Sequence, residues 1–300
     1  MTRALAGQVA LVTGASRGGT GAAIAVRFAA EGADVVITGR DTKGLAATAA
    51  RIDALGGRCL VVPADLADPA GGRRSLVGRA EQEFGPVDVV VNSAALGGYA
   101  PFESWTLDQL EQMMQVNLWA PWMLMTEVVG SMRDRGRGAI CNLTSFAAEL
   151  PPGPPYPDVK PATAGSAYGA TKAALNRLTV AAAAETLDQG VVVNALTPQA
   201  AIATPALVAG AWIADELFEP LETMAEAALA LCTGELTGRI AYSLQLLVEL
   251  DRPVRELDGQ GLVDGWQPAD LVGVIERQER YQVERGWSAP FVFHRPSSPS

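Results

Sequence analysis

The sequence predicts an open α/β fold of 300 residues: a doubly wound parallel sheet of about seven strands with helices on both faces. Three observations carry that prediction. Short apolar runs alternate with helical stretches from residue 8 to residue 196. The first run ends in a glycine-rich loop, and an alanine-rich helix follows at once. Thr13, Asp65 and Asn92 fall at the carboxyl ends of apolar runs, which is where open parallel sheets bind ligands.

Gln8 to Thr13 reads as the first strand, followed by Gly14-Ala15-Ser16-Arg17-Gly18-Gly19-Thr20-Gly21. The helix after it carries Ile24 and Phe28 four apart and stops at Gly32. Strand, tight loop and helix converge backbone amides and a helix N-terminus on one spot, which suits a phosphate or pyrophosphate; an ordinary βα turn is the plainer alternative. Ala33 to Thr38 is the second strand. No acid stands at its end to bind a ribose 2′-hydroxyl; the chain reads Thr38-Gly39-Arg40, and Asp41 comes late enough to cap the next helix. Arg40 and Arg17 suit a 2′-phosphate, which favours NADP(H) and leaves NAD(H) possible if both are merely solvated.

The third strand is Arg58 to Val62, with Asp65-Leu66 beyond it, and the fourth is Val87 to Asn92. A long, nearly all-apolar helix is expected from about Thr106 to Met132. It carries Asn117, which needs a hydrogen-bond partner if buried and reads equally as a satisfied core amide. Ala139 to Ser145 is the fifth strand; a proline-rich loop follows, then a helix to about Asp188 and a sixth strand, Val191 to Leu196, ending at Pro198. Ala206 to Leu231 is apolar and helix-prone, with Trp212, Phe218, Leu221 and Met224 in it; such residues are more often core than pocket. Arg239 to Val248 fits a last strand, and Pro268 to about Arg285 has a helical pattern.

Composition narrows the class. A net charge of −10 argues against nucleic acid or an anionic membrane as main partner. The early first strand leaves no room for a signal peptide, and no apolar stretch is long enough to cross a bilayer. Cys59, Cys141 and Cys232 are odd in number and lie in apolar runs, as core thiols of a reducing compartment do. His294 is the only histidine, so a histidine triad or zinc site is close to excluded and no metal is expected. A cytoplasmic protein is expected.

Tyr168 and Lys172 stand four apart at the start of an alanine-rich run without a breaker until Gly190, so both leave one helix face. A neighbouring ammonium favours the phenolate and brings a tyrosine into the working range for proton transfer. Tyr156 and Lys160 repeat the spacing among prolines, which block the helix, and read as coincidence. Of 23 basic residues only Lys43, Lys160 and Lys172 are lysines. Taken alone, the Tyr168 pair is as compatible with a solvated face as with chemistry.

Together these residues resemble the short-chain dehydrogenase/reductase family over roughly residues 7 to 245. The resemblance rests on the Thr13 to Gly18 loop, Asp65-Leu66, Asn92 with Ala94-Ala95, Asn117, Ser145, Tyr168 with Lys172, and Pro198 ahead of Ile202 and Thr204. It implies a Rossmann-like domain over 1–248 and an extension over 249–300, packed on the same domain or on a neighbouring subunit. It implies hydride transfer between a nicotinamide and a carbonyl/alcohol pair, in a homotetramer or homodimer. Tyr168 would be the general acid/base, Lys172 would hold the nicotinamide ribose and lower the Tyr168 pKa, Ser145 would bind the substrate oxygen, and Asn117 would hold a water in the proton relay. Gly14, Ser16, Arg17, Gly18, Gly21, Arg40, Asp65, Leu66, Asn92, Ala94, Tyr168, Lys172, Pro198, Ile202 and Thr204 would line the cofactor. A dinucleotide binder without turnover is the non-enzymatic alternative.

The chain departs from the family at four places. The glycine loop is one residue longer than the family's, Gly18 and Gly21 being separated by Gly19 and Thr20, with Gly19 the residue expected to be absorbed. Asn92-Ser93-Ala94-Ala95 replaces Asn-Asn-Ala-Gly, Pro198-Gln199 replaces Pro-Gly with Ile202 one residue late, and the interval from Ser145 to Tyr168 is lengthened.

Overall fold

Seven parallel strands in the order β3-β2-β1-β4-β5-β6-β9 form the main sheet of the computed structural model. The structure describes residues 3–69, 72–98, 100–150, 166–210 and 218–284; the Tyr156–Lys160 pair, Trp212 and His294 lie outside them. The chain runs β1 (Val9–Thr13), α1 (Thr20–Ala30), β2 (Asp34–Gly39), α2 (Thr42–Ala54), β3 (Cys59–Pro63), α3 (Leu76–Phe84) and β4 (Val89–Asn92). It continues through α4 (Leu107–Met114), a π turn (Gln115–Trp119), α5 (Ala120–Arg135), β5 (Gly138–Leu143), α6 (Ser166–Glu185) and β6 (Val191–Thr197). A small parallel pair, β7 (Ala201–Ile202) and β8 (Phe218–Glu219), brackets α7 (Pro205–Gly210). Then come α8 (Leu221–Thr233), β9 (Ile240–Tyr242), α9 (Ser243–Glu249) and α10 (Pro268–Glu284).

Alternate side chains of each strand serve the two faces. Ala10, Val12, Val89, Val91, Ala139 and Cys141 join Ile24, Phe28, Leu229 and Leu244 in one core; Val9, Leu11, Val90 and Ile140 join Leu76, Leu124, Val128 and Met132 in the other. Both faces being covered, the strands read as near-continuous apolar runs. Cys141 and Cys232 are buried thiols, and Cys59 is half-buried. The strand order reverses between β1 and β4, so their carboxyl ends diverge and open the cleft where ligands bind.

The long helix is three pieces, α4 capped by Thr106, the π turn holding Asn117, and α5. The last strand is shorter than Arg239 to Val248: the chain turns helical at Ser243, because Leu244, Leu247 and Val248 are apolar at helical spacing, not alternately. Residues 250–284 fold back on the chain's own core, where Val254, Leu271, Val274 and Ile275 are buried. A string of charges, buried at Arg27 and Glu226 and partly exposed at Glu31 and Arg252, ties the ends together. Glu31 accepts from the Ala4 amide and pairs with Arg27 at 2.6 Å, Arg27 pairs with Glu226 at 3.0 Å, and Glu226 pairs with Arg252 at 2.7 Å. Among the described residues no helix is long and apolar enough to cross a membrane, and no cluster of three or more His, Cys, Asp or Glu could hold a metal.

Candidate active site at the carboxyl edge of the sheet

The cleft is built first from β1 and its loop. Thr13 accepts from the amides of Ser93 and Ala94, both at 3.0 Å, pinning the chain beyond β4 to the end of β1. Gly14 has φ +71°, and a Cβ there would lie 2.8 Å from the Ala94 amide nitrogen, so only glycine lets these two segments meet. The inserted Gly19 is absorbed as the N-cap of α1 and offers no side-chain acceptor, which leaves the first amides of the helix for an anion. Gly18 and Gly21 flank it, Gly21 buried in the first turn. On the outer side, Thr48 of α2 donates to the Ala15 carbonyl at 2.8 Å and the Ala15 amide donates to Thr38, seating Ser16 against Gly39. Arg17 and Arg40 are both exposed and have no ion-pair or hydrogen-bond partner among the described residues. This cradle, with free helix amides and two available guanidiniums, fits a dinucleotide phosphate. At the end of β3, exposed Asp65 accepts from the Ala67 amide at 3.0 Å and Leu66 is buried.

The other half comes from β5, β6 and α6. Lys172 is buried; its ammonium donates to the Leu143 carbonyl at 2.7 Å and sits 5.8 Å from the centre of the Tyr168 ring. Burial lowers its pKa from the usual 10.5 to about 8. Ser145, one residue past Thr144, accepts from the Ala147 amide at 3.2 Å and so keeps its own proton to donate. Gly169, beside Tyr168, makes the approach of α6 to this turn possible: a Cβ there would lie 2.3 Å from the Ala147 carbonyl oxygen. Tyr168, Lys172 and Ser145 thus converge on one edge.

Asn117 is fully buried, and its side-chain amide is bonded within the protein. Oδ1 accepts from the Leu96 amide at 2.8 Å, while Nδ2 donates to the Leu96 carbonyl and to Thr171 Oγ1, both at 2.9 Å. With both N–H groups spent, the amide fastens the π turn to the chain beyond β4 and to α6. Asn92 is likewise turned into the sheet, donating to Asn142 Oδ1 at 2.8 Å, with Asn142 donating to Thr179. Ile202 is buried in β7, and Thr204 caps α7. Pro198 follows β6 beside Ser145, since Leu143 pairs with Leu196 and the Thr144 amide donates to Leu196.

No motif in the sequence marks Glu219. It is fully buried and accepts from the Ala200 amide, Thr223 and Ser243, beneath the turn after Pro198. Its only sequence trace is an acid beside a proline in an apolar stretch.

A doubly wound sheet whose switch-point edge carries these groups is a nucleotide-binding architecture, and sequence similarity identifies the family. The family model described as short chain dehydrogenase matches residues 8–209. The ketoacyl reductase HetN of a Nostoc strain is 33% identical over 194 residues, covering 65% of this chain and 63% of that protein. Gluconate 5-dehydrogenase of Gluconobacter oxydans is 32% identical, covering 65% of this chain and 71% of its own length. Among solved structures, a blue fluorescent protein from a metagenomic library in complex with NADPH superposes with a TM-score of 0.70 at 32% identity, over 79% of this chain and 96% of that one. The chain belongs to the short chain dehydrogenase family, oxidoreductases that act on CH–OH groups.

Proposed function

We propose that this protein interconverts a small carbonyl compound and its secondary alcohol with NADP(H), Tyr168 serving as general acid/base. The observation that carries the reading is the buried Lys172 ammonium 5.8 Å from the Tyr168 ring at the edge that also presents Ser145. A bound nicotinamide supplies or takes up the hydride. Ser145 donates to the substrate oxygen, and Tyr168 gives that oxygen its proton as negative charge develops there. In oxidation the same phenolate takes the proton back. The adjacent ammonium stabilises the phenolate, and the low dielectric around it strengthens the effect. Gly14, Ser16, Gly18 and Gly21 would cradle the pyrophosphate, Asp65, Leu66, Asn92 and Ala94 the adenosine side, and Pro198, Ile202 and Thr204 the nicotinamide side. Arg17 and Arg40 would take the 2′-phosphate, and the NADPH bound to the structural relative supports that choice. The half-exposed Trp119, at the end of the π turn, and Trp122 of α5 support packing against a second copy of the chain.

Tyr168→Phe tests the mechanism. Turnover of a ketone panel should fall by about 10²–10⁴-fold while NADPH affinity, read by energy transfer from tryptophan, stays within about twofold; turnover that survives would refute the role of Tyr168. Parallel titration of the wild type with NADH tests the cofactor, and tighter NADH binding would reverse the assignment of the two arginines.

A further inference from the structure

We propose that Glu219 is a positioning residue for the nicotinamide half of the cleft: its buried carboxylate fixes the turn that follows Pro198. The proposal rests on the dinucleotide reading above. The segment concerned runs the length of the cleft. It begins next to Ser145, where β6 leaves the sheet, and by Thr204 and Pro205 it has reached the glycine loop, with Thr204 Cγ2 3.5 Å and Pro205 Cγ 3.7 Å from where a Cβ would stand on Gly19 and Gly18.

Little in the segment itself holds its first residues in place. The Gln199 side chain is buried with neither polar atom partnered, so it contributes no bond to the turn. The hold comes from below. Glu219 Oε1 accepts from the Ala200 amide at 3.1 Å and from Ser243 at 3.0 Å; Oε2 accepts from Thr223 at 2.7 Å and from Ser243 at 2.8 Å. The Ser243 hydroxyl in turn accepts from the Gln199 amide at 3.0 Å. Two successive backbone amides of the turn are therefore tied, one directly and one through a hydroxyl, to a single carboxylate carried by β8, and the β7–β8 pairing sets Ile202 against Glu219. A carboxylate is suited to this place because it is acceptor-only and every group around it is a donor. Burying it is costly, and burial raises its pKa from 4.5 to about 7. An apolar residue would fill the space at lower cost but would leave the Ala200 amide and the Ser243 hydroxyl proton without an acceptor, while Thr223 would keep the Pro220 carbonyl at 2.8 Å. A buried acid retained at this cost, below the segment that reaches from Ser145 to the phosphate loop, is accounted for if the position of that segment matters to the ligand.

The test compares whole cofactor with its adenosine half by calorimetry, using whichever of NADPH and NADH the wild type binds, with adenosine 2′,5′-bisphosphate or adenosine 5′-monophosphate as the matching half. Glu219→Leu should weaken the whole cofactor by about tenfold, because binding must then order a turn that the free protein no longer holds, and leave the adenosine half within about twofold. Glu219→Gln should restore most of that affinity, because its carbonyl keeps the Ala200 amide while Thr223 and Ser243 can turn to accept from its amide. Should Glu219→Leu not fold, Ser243→Ala carries the test, with a smaller loss, about threefold, confined to the whole cofactor. Equal loss of both ligands, or loss of neither, in a folded variant overturns the positioning role. A wild type that binds neither whole cofactor nor adenosine half removes the dinucleotide reading itself, and this proposal with it.

Discussion

Lys172→Met isolates the cost of keeping an ammonium in the core next to Tyr168. The side chain is buried and its single hydrogen bond goes to the Leu143 carbonyl at 2.7 Å. The unfolded chain holds this proton up to pH 10.5 and the folded chain only to about 8, a difference of roughly 3 kcal/mol against the charged form. Because the folded pKa lies below the unfolded one, that cost is fully present below pH 8 and is relieved as the pH rises toward 10.5. Met has no titration, so the stability gap between wild type and variant must move with pH even though all other groups titrate in both. Linkage puts the wild-type gain at about 2 kcal/mol between pH 7 and pH 9.5. Urea unfolding of both proteins without cofactor, followed by tryptophan fluorescence at the two pH values, measures it. A gap that stays constant within about 0.5 kcal/mol would falsify the buried-cation account. The same variant should lose about 10²-fold or more in turnover.

Three other outcomes are expected. Arg17→Ala and Arg40→Ala should each weaken NADPH by about 10-fold or more, the worth of a charge-assisted hydrogen bond, and leave NADH unchanged; binding titrations with both cofactors decide it. Gly169→Ala must push α6 off the Ala147 carbonyl, so kcat should fall by up to about 10²-fold with a smaller change in cofactor Kd; unchanged kcat would mean the turn and helix move together. Glu219 titrates the opposite way from Lys172: its folded pKa of about 7 lies above the usual 4.5, so the stability it confers is present below pH 4.5 and is lost as pH rises through 7. Relative to Glu219→Gln, the wild type should therefore lose roughly 3 kcal/mol over that window, measurable by denaturant melts at pH 5 and pH 7.5.

What could be read in the sequence was what depends on local pattern. Apolar runs between helices gave six strands of the sheet, since strands covered on both faces need continuous apolar side chains. The spacing of Tyr168 and Lys172, Asp41 as a cap, and Gly19 as the absorbed insertion are local too. What stayed hidden depends on contacts distant in sequence. Nothing in the run around Asn117 shows that its amide is bonded to Leu96 and Thr171. Arg239 to Val248 opens with Ile240 and Tyr242 as a strand does, but Leu244, Leu247 and Val248 stand at helical spacing, a change of period within one apolar run that the strand reading passed over. Glu219 resembles any acid beside a proline until Ala200, Thr223 and Ser243 gather round it.

The line of charges from Ala4 through Glu31, Arg27 and Glu226 to Arg252 changes what a truncation means. The matched family region stops at residue 209, and a fragment cut there, or anywhere before Arg252, would strip Glu226 or Arg27 of a counter-ion already shut away from water. It would also bare the apolar bed on which Leu271, Val274 and Ile275 lie. The chain before β1 and the segment at Arg252 are therefore linked through α1 and α8, and a fragment trimmed before Arg252 should unfold at lower denaturant than the full chain.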